Sequence, residues 1–110
     1  MMARIDDLDD PDYPAYTTGR AADVLGVRQA FLRALDAAGA VTPQRTDGGR
    51  RRYTRRQLAF AARIRGLFDQ GHTLAAALRI LALEDALATE RDLTARLRAR
   101  LAGQGRPGEG

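Results

Sequence analysis

The sequence predicts a mainly α-helical domain that carries one small β-hairpin and ends in a C-terminal helix. Apolar residues recur at helical spacing along most of the 110 residues, and glycines stand where that spacing stops. Residues 40–53 lack helical periodicity and contain the turn-forming Asp-Gly-Gly at 47–49. We therefore expect short helices on both sides of a single hairpin.

Composition argues against catalysis. The apolar share of 45% and the charged share of 29% are those of a globular protein of one domain. No cysteine is present, which excludes disulfides and thiolate metal sites, and His72 is the single histidine. Triads that need Ser, His and Asp or Cys and His cannot be assembled around it. We expect no catalytic residue, no metal and no cofactor, and we predict that the protein is not an enzyme.

The chain shows no sign of membrane insertion or export. No apolar run approaches the roughly 20 residues that a membrane span needs. The first twelve residues are acidic and do not resemble a signal peptide. We expect a cytoplasmic protein without a membrane partner.

Two short helices are predicted near the N-terminus. Thr17 or Thr18 can cap a helix over 19–25, and Gly26 ends it. Apolar residues at i, i+1, i+4 and i+7 then predict an amphipathic helix over 28–38. Two short helices joined by a turn that contains glycine form the helix-turn-helix plan.

The hairpin and the next helix follow directly. Residues 41–42 and 51–53 flank the Asp-Gly-Gly turn and are the expected strands. Thr54 and Gln57 have the spacing of a capping box, which begins a helix. A hairpin that follows a helix-turn-helix is a wing, so the predicted fold is a winged helix-turn-helix.

A helix pair and a C-terminal helix complete the prediction. The pair breaks at Gly71, and Thr73 can cap its second helix. The C-terminal helix carries five leucines within roughly 120° of arc, interrupted by Glu90 and Thr94. We predict dimerisation through these leucines in a short coiled coil and keep packing within the chain as the alternative. The leucines are Leu83, Leu87, Leu93, Leu97 and Leu101.

Charge is concentrated in two places. Residues 1–12 hold five aspartates against one arginine, whereas the stretch from Arg45 to Arg65 holds eight arginines and one acid. A solvated loop is the ordinary interpretation of such a basic run. The turn, the tyrosine at 53 and the capping box order both of its sides, so we favour a wing whose arginines contact successive phosphates.

Four segments of the sequence, in this order and spacing, resemble a known family. They are YTTGRAADVLGV (16–27), FLRALDAAGAV (31–41), TDGGRRRYT (46–54) and GHTLAAAL (71–78). With them, residues 16–83 are similar to the DNA-binding domain of MerR-family bacterial transcription regulators. The resemblance implies a winged helix-turn-helix, a helix pair and an antiparallel coiled-coil dimer on a pseudo-palindromic promoter site. A short chain without an effector domain resembles the heat-shock repressor branch.

Candidate DNA contacts come from the second helix and the wing. Arg28 and Gln29 are the candidates for base edges and Arg33 for a phosphate. The resemblance assigns Arg33 to the recognition helix, and Arg51 and Tyr53 to the wing. Further contacts are expected from Thr18 at the first helix, from Arg50 and Arg52 in the wing, and from Arg55 and Arg56 behind it.

Four positions depart from the family pattern. Arg28 stands where the family commonly has Ser or Thr, so the helix loses a cap and gains a long basic side chain. Ala34 and Leu35 replace aromatic residues, and Arg50 replaces the usual Tyr or His. These changes bear on which DNA sequence is bound.

The predicted organisation has four parts: an acidic flexible tail (1–15), the DNA-binding domain (16–82), the dimerisation helix (83–101) and a disordered end (102–110). The predicted function is a homodimeric transcription regulator on double-stranded DNA in the nucleoid; repression is expected, and activation stays open as the alternative. RNA polymerase or a chaperone is a further candidate partner. Two alternatives stay open: an excisionase-like recombination factor, and an interaction module that docks through its C-terminal helix.

Overall fold

The computed structural model describes residues 9–104 as helices packed around one hairpin. The helices are α1 (Thr18–Leu25), α2 (Gln29–Ala37), α3 (Arg55–Asp69) and α4 (Leu74–Gln104), and the strands are β1 (Gln44–Arg45) and β2 (Arg51–Arg52). The predicted fold class, mainly α with a small hairpin wing, is confirmed. No helix of the described residues is long and apolar enough to cross a membrane.

The turn between α1 and α2 is formed as the sequence predicts. Thr17 caps α1, and its hydroxyl oxygen accepts a hydrogen bond from the Arg20 amide at 3.1 Å. Gly26 follows α1 with φ of 67°, in the left-handed region that favours glycine. Arg28 occupies the N-cap of α2 and makes no side-chain cap there. The two helices pack on each other as a helix-turn-helix.

The hairpin is shorter than predicted and begins later. Gln44 pairs with Arg52, and Arg45 pairs with Arg51, in an antiparallel register. The predicted first strand at 41–42 is wrong because Val41 is only 3% exposed and belongs to the core. Because this side chain is buried, the segment around Val41 lies against the helices, and pairing with β2 begins only at Gln44.

The third helix begins and ends as predicted, and the fourth begins as predicted. The Thr54 hydroxyl accepts from the Gln57 amide at 3.0 Å, and the Gln57 side-chain oxygen accepts from the Thr54 amide at 2.9 Å. These two bonds form the capping box at the start of α3. Gly71, with φ of 94°, follows α3. The Thr73 hydroxyl accepts from the Ala76 amide at 3.1 Å and begins α4.

The expected second helix of the pair and the C-terminal helix are one helix of 31 residues. No glycine or proline occurs between residues 74 and 102, and alanine, leucine and arginine, all strong helix formers, dominate the segment. The helix therefore continues through the boundary expected at 82–83. Residues 102–104, which were assigned to a disordered end, are helical, and 105–110 lie outside the described residues.

The core lies between α1, α2, α3 and the first two turns of α4. Its largest fully buried side chains are Tyr53, Leu32, Leu35 and Ile64. Leu81 is the last buried residue of α4, and every residue from 82 to 104 is exposed or half-buried. The domain thus covers only one end of α4.

The acidic segment at residues 9–15 packs against the domain. The Arg56 amide, in the first turn of α3, donates to the Pro11 carbonyl at 3.0 Å. Tyr16 and Tyr53 then exchange backbone hydrogen bonds of 3.0 and 2.7 Å. The prediction of a flexible tail is wrong for residues 9–15, and residues 1–8 lie outside the described part of the chain.

The capping box gives a test of the fold. Thr54→Ala removes the acceptor of the Gln57 amide, and we expect the free energy of unfolding to fall by about 1–2 kcal/mol. Urea unfolding at fixed protein concentration measures the change. Thr89→Ala is the matched control: its hydroxyl contacts only the Asp85 carbonyl in the exposed part of α4, and we expect a change within about 0.5 kcal/mol. Equal effects of the two substitutions would contradict the role of the box.

Candidate nucleic-acid interface

The starts of α1 and α2 and the hairpin together line one open cleft. Its volume is about 390 Å³. Four of the lining residues are arginines and none is acidic, so the cleft presents a concentrated positive charge. The lining residues are Thr17, Thr18, Gln29, Arg33, Gly49, Arg50, Arg51 and Arg52. Six of the ten predicted contacts are therefore brought together, because Thr18, Gln29, Arg33 and the three wing arginines all lie here.

The first turn of α2 forms one wall of the cleft. Gln29 is the first helical residue, and Arg33 follows one turn later on the same face. The Arg33 guanidinium donates to the Gln29 side-chain oxygen at 3.0 Å. Gly19 of α1 lies beside this side chain: a β-carbon added there would be in ordinary van der Waals contact, at 3.4 Å, with the side-chain amide nitrogen of Gln29.

The opposite wall is the hairpin, and an ion pair fastens it to α2. Arg51 donates through Nε to the Asp36 carboxylate at 2.8 Å, and Arg45 approaches the same oxygen at 3.4 Å. The Asp36 side chain is 16% exposed and that of Arg51 is 30% exposed. Arg45 also donates to the Gly49 carbonyl at 3.0 Å, across the hairpin turn. The wing thus has a defined position relative to the second helix.

Tyr53 is not available as a DNA contact in this structure. It is 0% exposed and is among the largest fully buried side chains. Burial raises the pKa of its hydroxyl, and the nearby Thr18 side chain opposes part of that shift. The hydroxyl makes no hydrogen bond of good geometry within residues 9–104. Of the two roles that the sequence allows Tyr53, a packed ring or a hydroxyl that contacts a phosphate, the structure has the packed ring, and Tyr53 is a core residue at the base of the wing.

Arg55 and Arg56 face the acidic segment and do not line the cleft. Arg56 pairs through Nε with the Asp12 carboxylate at 2.6 Å, and Arg55 donates to the Asp9 carbonyl. The hydrogen bond from Arg56 holds the pKa of the Asp12 carboxyl below its usual value. Both partners of this pair are exposed, so the contact adds little stability. Arg28 is exposed at the N-cap of α2 and is also absent from the cleft lining.

Sequence reasoning missed Thr17, Arg45 and Asp36. Thr17 lines the cleft beside Thr18, whereas its position in the sequence indicates only a helix cap. Arg45 and Asp36 lie 9 residues apart, and Asp36 and Arg51 lie 15 apart. No periodic pattern links positions so far apart, so nothing in the sequence indicated that they would meet.

The C-terminal half of α4 presents an apolar stripe. Its five leucines are between 47% and 67% exposed. At about 100° per residue they lie roughly opposite Ala77 and Leu81, which are buried against the domain. Arg63 of α3 pairs with Glu84 at 3.2 Å and with Asp85 at 2.9 Å, which ties α4 to α3 just before the stripe. The leucine stripe therefore faces away from the domain, and packing among residues 9–104 does not cover it.

Family comparison agrees with this arrangement. The model of the MerR HTH family regulatory proteins matches residues 16–84. The match includes the helix-turn-helix, the wing, α3 and the start of α4, which is well over half of the chain. The chain belongs to the MerR family of helix-turn-helix regulatory proteins.

Two curated relatives are similar in sequence. The putative heat shock protein HspR of Streptomyces coelicolor is 37% identical over 93 residues, which cover 84% of this chain and 62% of HspR. The HTH-type transcriptional repressor CarH of Myxococcus xanthus is 36% identical over 67 residues, or 60% of this chain and 22% of CarH. This chain thus spans less than two thirds of either relative.

Solved structures share the fold. HiNmlR, a MerR family regulator that lacks the sensor domain and is bound to promoter DNA, superposes with a TM-score of 0.58 at 24% identity. The match covers 81% of this chain and 74% of HiNmlR. A MerR family transcriptional regulator from Bacillus cereus gives a TM-score of 0.56 at 22% identity, covering 80% and 72% of the two chains.

The burial of Tyr53 can be tested through its hydroxyl. Tyr53→Phe removes a buried polar group that lacks a good partner, so we expect an equal or higher free energy of unfolding. We expect DNA affinity, measured by fluorescence anisotropy, to stay within about twofold of the parent. Tyr53→Ala is the contrasting variant, and loss of the ring should cost about 3–5 kcal/mol. A marked loss of affinity in a stable Tyr53→Phe protein would restore the hydroxyl to the DNA contacts.

Proposed function

We propose that the protein is a transcriptional repressor that binds double-stranded promoter DNA as a homodimer. The observation that carries the proposal is the meeting of the first turn of α2 and the wing arginines in one acid-free cleft. Related proteins support it, since HiNmlR is described as bound to promoter DNA and CarH as a transcriptional repressor. In this proposal the protein works in the cytoplasm, at the nucleoid, and is not an enzyme.

The DNA-binding unit in this proposal is residues 16–82. The N-terminal end of α2 enters the major groove, where Arg28 and Gln29 contact base edges. Arg33 contacts a phosphate, as do the wing arginines and Thr18 at the start of α1. The arginine forks suit phosphate oxygens because each presents several donors in one plane. Contacts of this kind hold the helix in register on the duplex.

The dimerisation unit in this proposal is residues 83–101. A two-fold axis at residue 92 would place Leu83 opposite the partner's Leu101 and Leu87 opposite the partner's Leu97. Residues 84–92 carry four acids and one arginine, whereas residues 93–101 carry three arginines and no acid. Antiparallel pairing brings these opposite charges together, and parallel pairing would place like charges side by side. The charge pattern therefore favours an antiparallel dimer.

The exposed leucine stripe also bears on the alternatives. An excisionase-like factor would bend an attachment site and has no evident use for such a stripe. An interaction module would use it to dock a protein such as a chaperone or RNA polymerase. Saturable DNA binding by a dimer supports the regulator, and a stripe that binds another protein in a monomer that lacks DNA affinity supports the module.

The wing contact can be tested at Arg50, whose side chain has no ion pair within residues 9–104. Arg50→Ala should weaken binding to promoter and random duplexes alike, because a phosphate contact carries no sequence information. The slope of log K against log salt should fall by about one unit. Arg79→Ala removes an exposed arginine of α4, outside the cleft, and is the matched control. An Arg50→Ala protein with the parent's affinity and slope would remove Arg50 from the interface.

The dimer contact can be tested at Leu97. Leu97→Asp places a charge in the leucine stripe on each protomer, and we expect monomers and loss of tight DNA binding. Val24→Asp is the control, because Val24 is 53% exposed on α1 and lies outside the stripe. Sedimentation equilibrium measures the mass of each variant at the same concentration. A Leu97→Asp protein that still sediments as a dimer would reject the stripe as the interface.

A further inference from the structure

We propose that Asp36 is a positioning residue for DNA binding, which holds the guanidinium of Arg51 so that its two terminal nitrogens face the phosphate backbone. This inference rests on the proposed function and names a residue that does not itself touch DNA. It follows from the geometry of the ion pair between α2 and the wing.

The contact uses only one nitrogen of Arg51. Nε donates to the Asp36 carboxylate at 2.8 Å. The terminal nitrogens, which carry the remaining four N–H donors, make no hydrogen bond to any residue in the range 9–104. Arg51 lines the basic cleft. The ion pair therefore fixes Nε of Arg51 and leaves its two terminal nitrogens available on the side where DNA is proposed to bind.

Fixing the Arg51 guanidinium before DNA arrives strengthens DNA binding. A free arginine side chain loses much rotamer entropy when it is fixed on a phosphate. The Asp36 carboxylate is only 16% exposed, so its attraction for Arg51 is screened less than that of a surface pair. Arg51 is thereby ordered before DNA arrives, and less entropy is lost on binding.

The same carboxylate also fixes the distance between the two walls of the cleft. Asp36 follows Arg33 by three residues on α2 and accepts from both strands of the hairpin, through Arg45 at 3.4 Å and Arg51 at 2.8 Å. Movement of the wing away from the helix would break both contacts. Asp36 thus couples the spacing of the wing arginines to that of Gln29 and Arg33.

The positioning role of Asp36 and its negative charge predict opposite changes in DNA affinity when the residue is removed. Asp36 is an anion close to a surface proposed to bind a polyanion, so on charge alone its removal should strengthen binding. If it positions Arg51, its removal should weaken binding although the protein becomes more positive. The direction of the change therefore separates the two roles.

The experiment measures the affinity of Asp36→Asn in the full chain for a random-sequence duplex over a series of salt concentrations. We expect the affinity to fall about fivefold, and the salt slope to move toward that of Arg51→Ala. Asp47→Asn is the matched control. It removes the same charge from the tip of the same hairpin, and Asp47 has no ion pair within residues 9–104. Asp47→Asn should bind as tightly as the parent or more tightly.

A double-variant cycle assigns the effect to Arg51. In an Arg51→Ala background, Asp36→Asn should cause a smaller loss of affinity than in the parent, because the guanidinium it positions is gone and only its contact with Arg45 remains. Asp36→Glu keeps a carboxylate and should recover most of the parent's affinity. Asp36→Asn that binds as tightly as the parent, or losses that simply add in the double variant, would overturn the proposal.

A second measurement needs no change at Asp36. In the parent protein the Nε–H of Arg51 should exchange with water more slowly than that of Arg50, as seen by NMR of the arginine side chains with Arg51→Lys used for assignment. Equal exchange of the two would overturn the proposal even if Asp36→Asn failed to fold. A parent chain that binds no duplex would refute the proposed function and leave this exchange result to report on the ion pair alone.

Discussion

The burial of Tyr53 is the constraint on which the rest of the interface depends. Its ring is 0% exposed, and its backbone pairs with Tyr16 just before α1. The residue before it ends β2, and Thr54 after it caps α3. One residue therefore joins the hairpin, the start of α1 and the start of α3. Since the ring is fixed inside the core, the strand that precedes it must leave the domain at a defined place.

That fixed position divides the basic run into groups with different surroundings. Arg50, Arg51 and Arg52 precede the buried ring and line the cleft with the first turn of α2. Arg55 and Arg56 follow it and contact the acidic segment. The positive charge is thus split between a surface proposed to bind DNA and a contact within the chain. Counting charges along the sequence cannot make this distinction, because it depends on which side of Tyr53 each arginine lies.

Local features of the fold could be predicted from the sequence. The capping box at Thr54 and the glycine at 71 act through neighbouring residues, and both are formed as expected. Contacts between distant residues could not be predicted. The Asp36–Arg51 pair joins residues 15 apart, and the Arg56–Asp12 pair joins residues 44 apart. Both depend on how the hairpin and the N-terminal segment pack, which no periodic pattern specifies.

The errors have related causes. The position of Val41 ahead of the hairpin turn predicts a strand, but its side chain is buried in the core. The position of Tyr53 in the wing allows either a phosphate contact or a packed ring, and the ring is buried because an aromatic side chain contributes more as a buried residue than as a surface one. The leucine stripe and the buried face lie on opposite sides of α4, so their separate apolar patterns predict two helices although the helix is uninterrupted.

The central claim is that a dimer joined through α4 places two copies of the basic cleft on the two halves of a symmetric DNA site. Selection of bound sequences from random duplex DNA by the full chain, at physiological salt, tests this most directly. The account predicts enrichment of a site with two inverted half-sites at a fixed spacing. Enrichment of a single unrepeated half-site, or the absence of any enriched sequence, would contradict it.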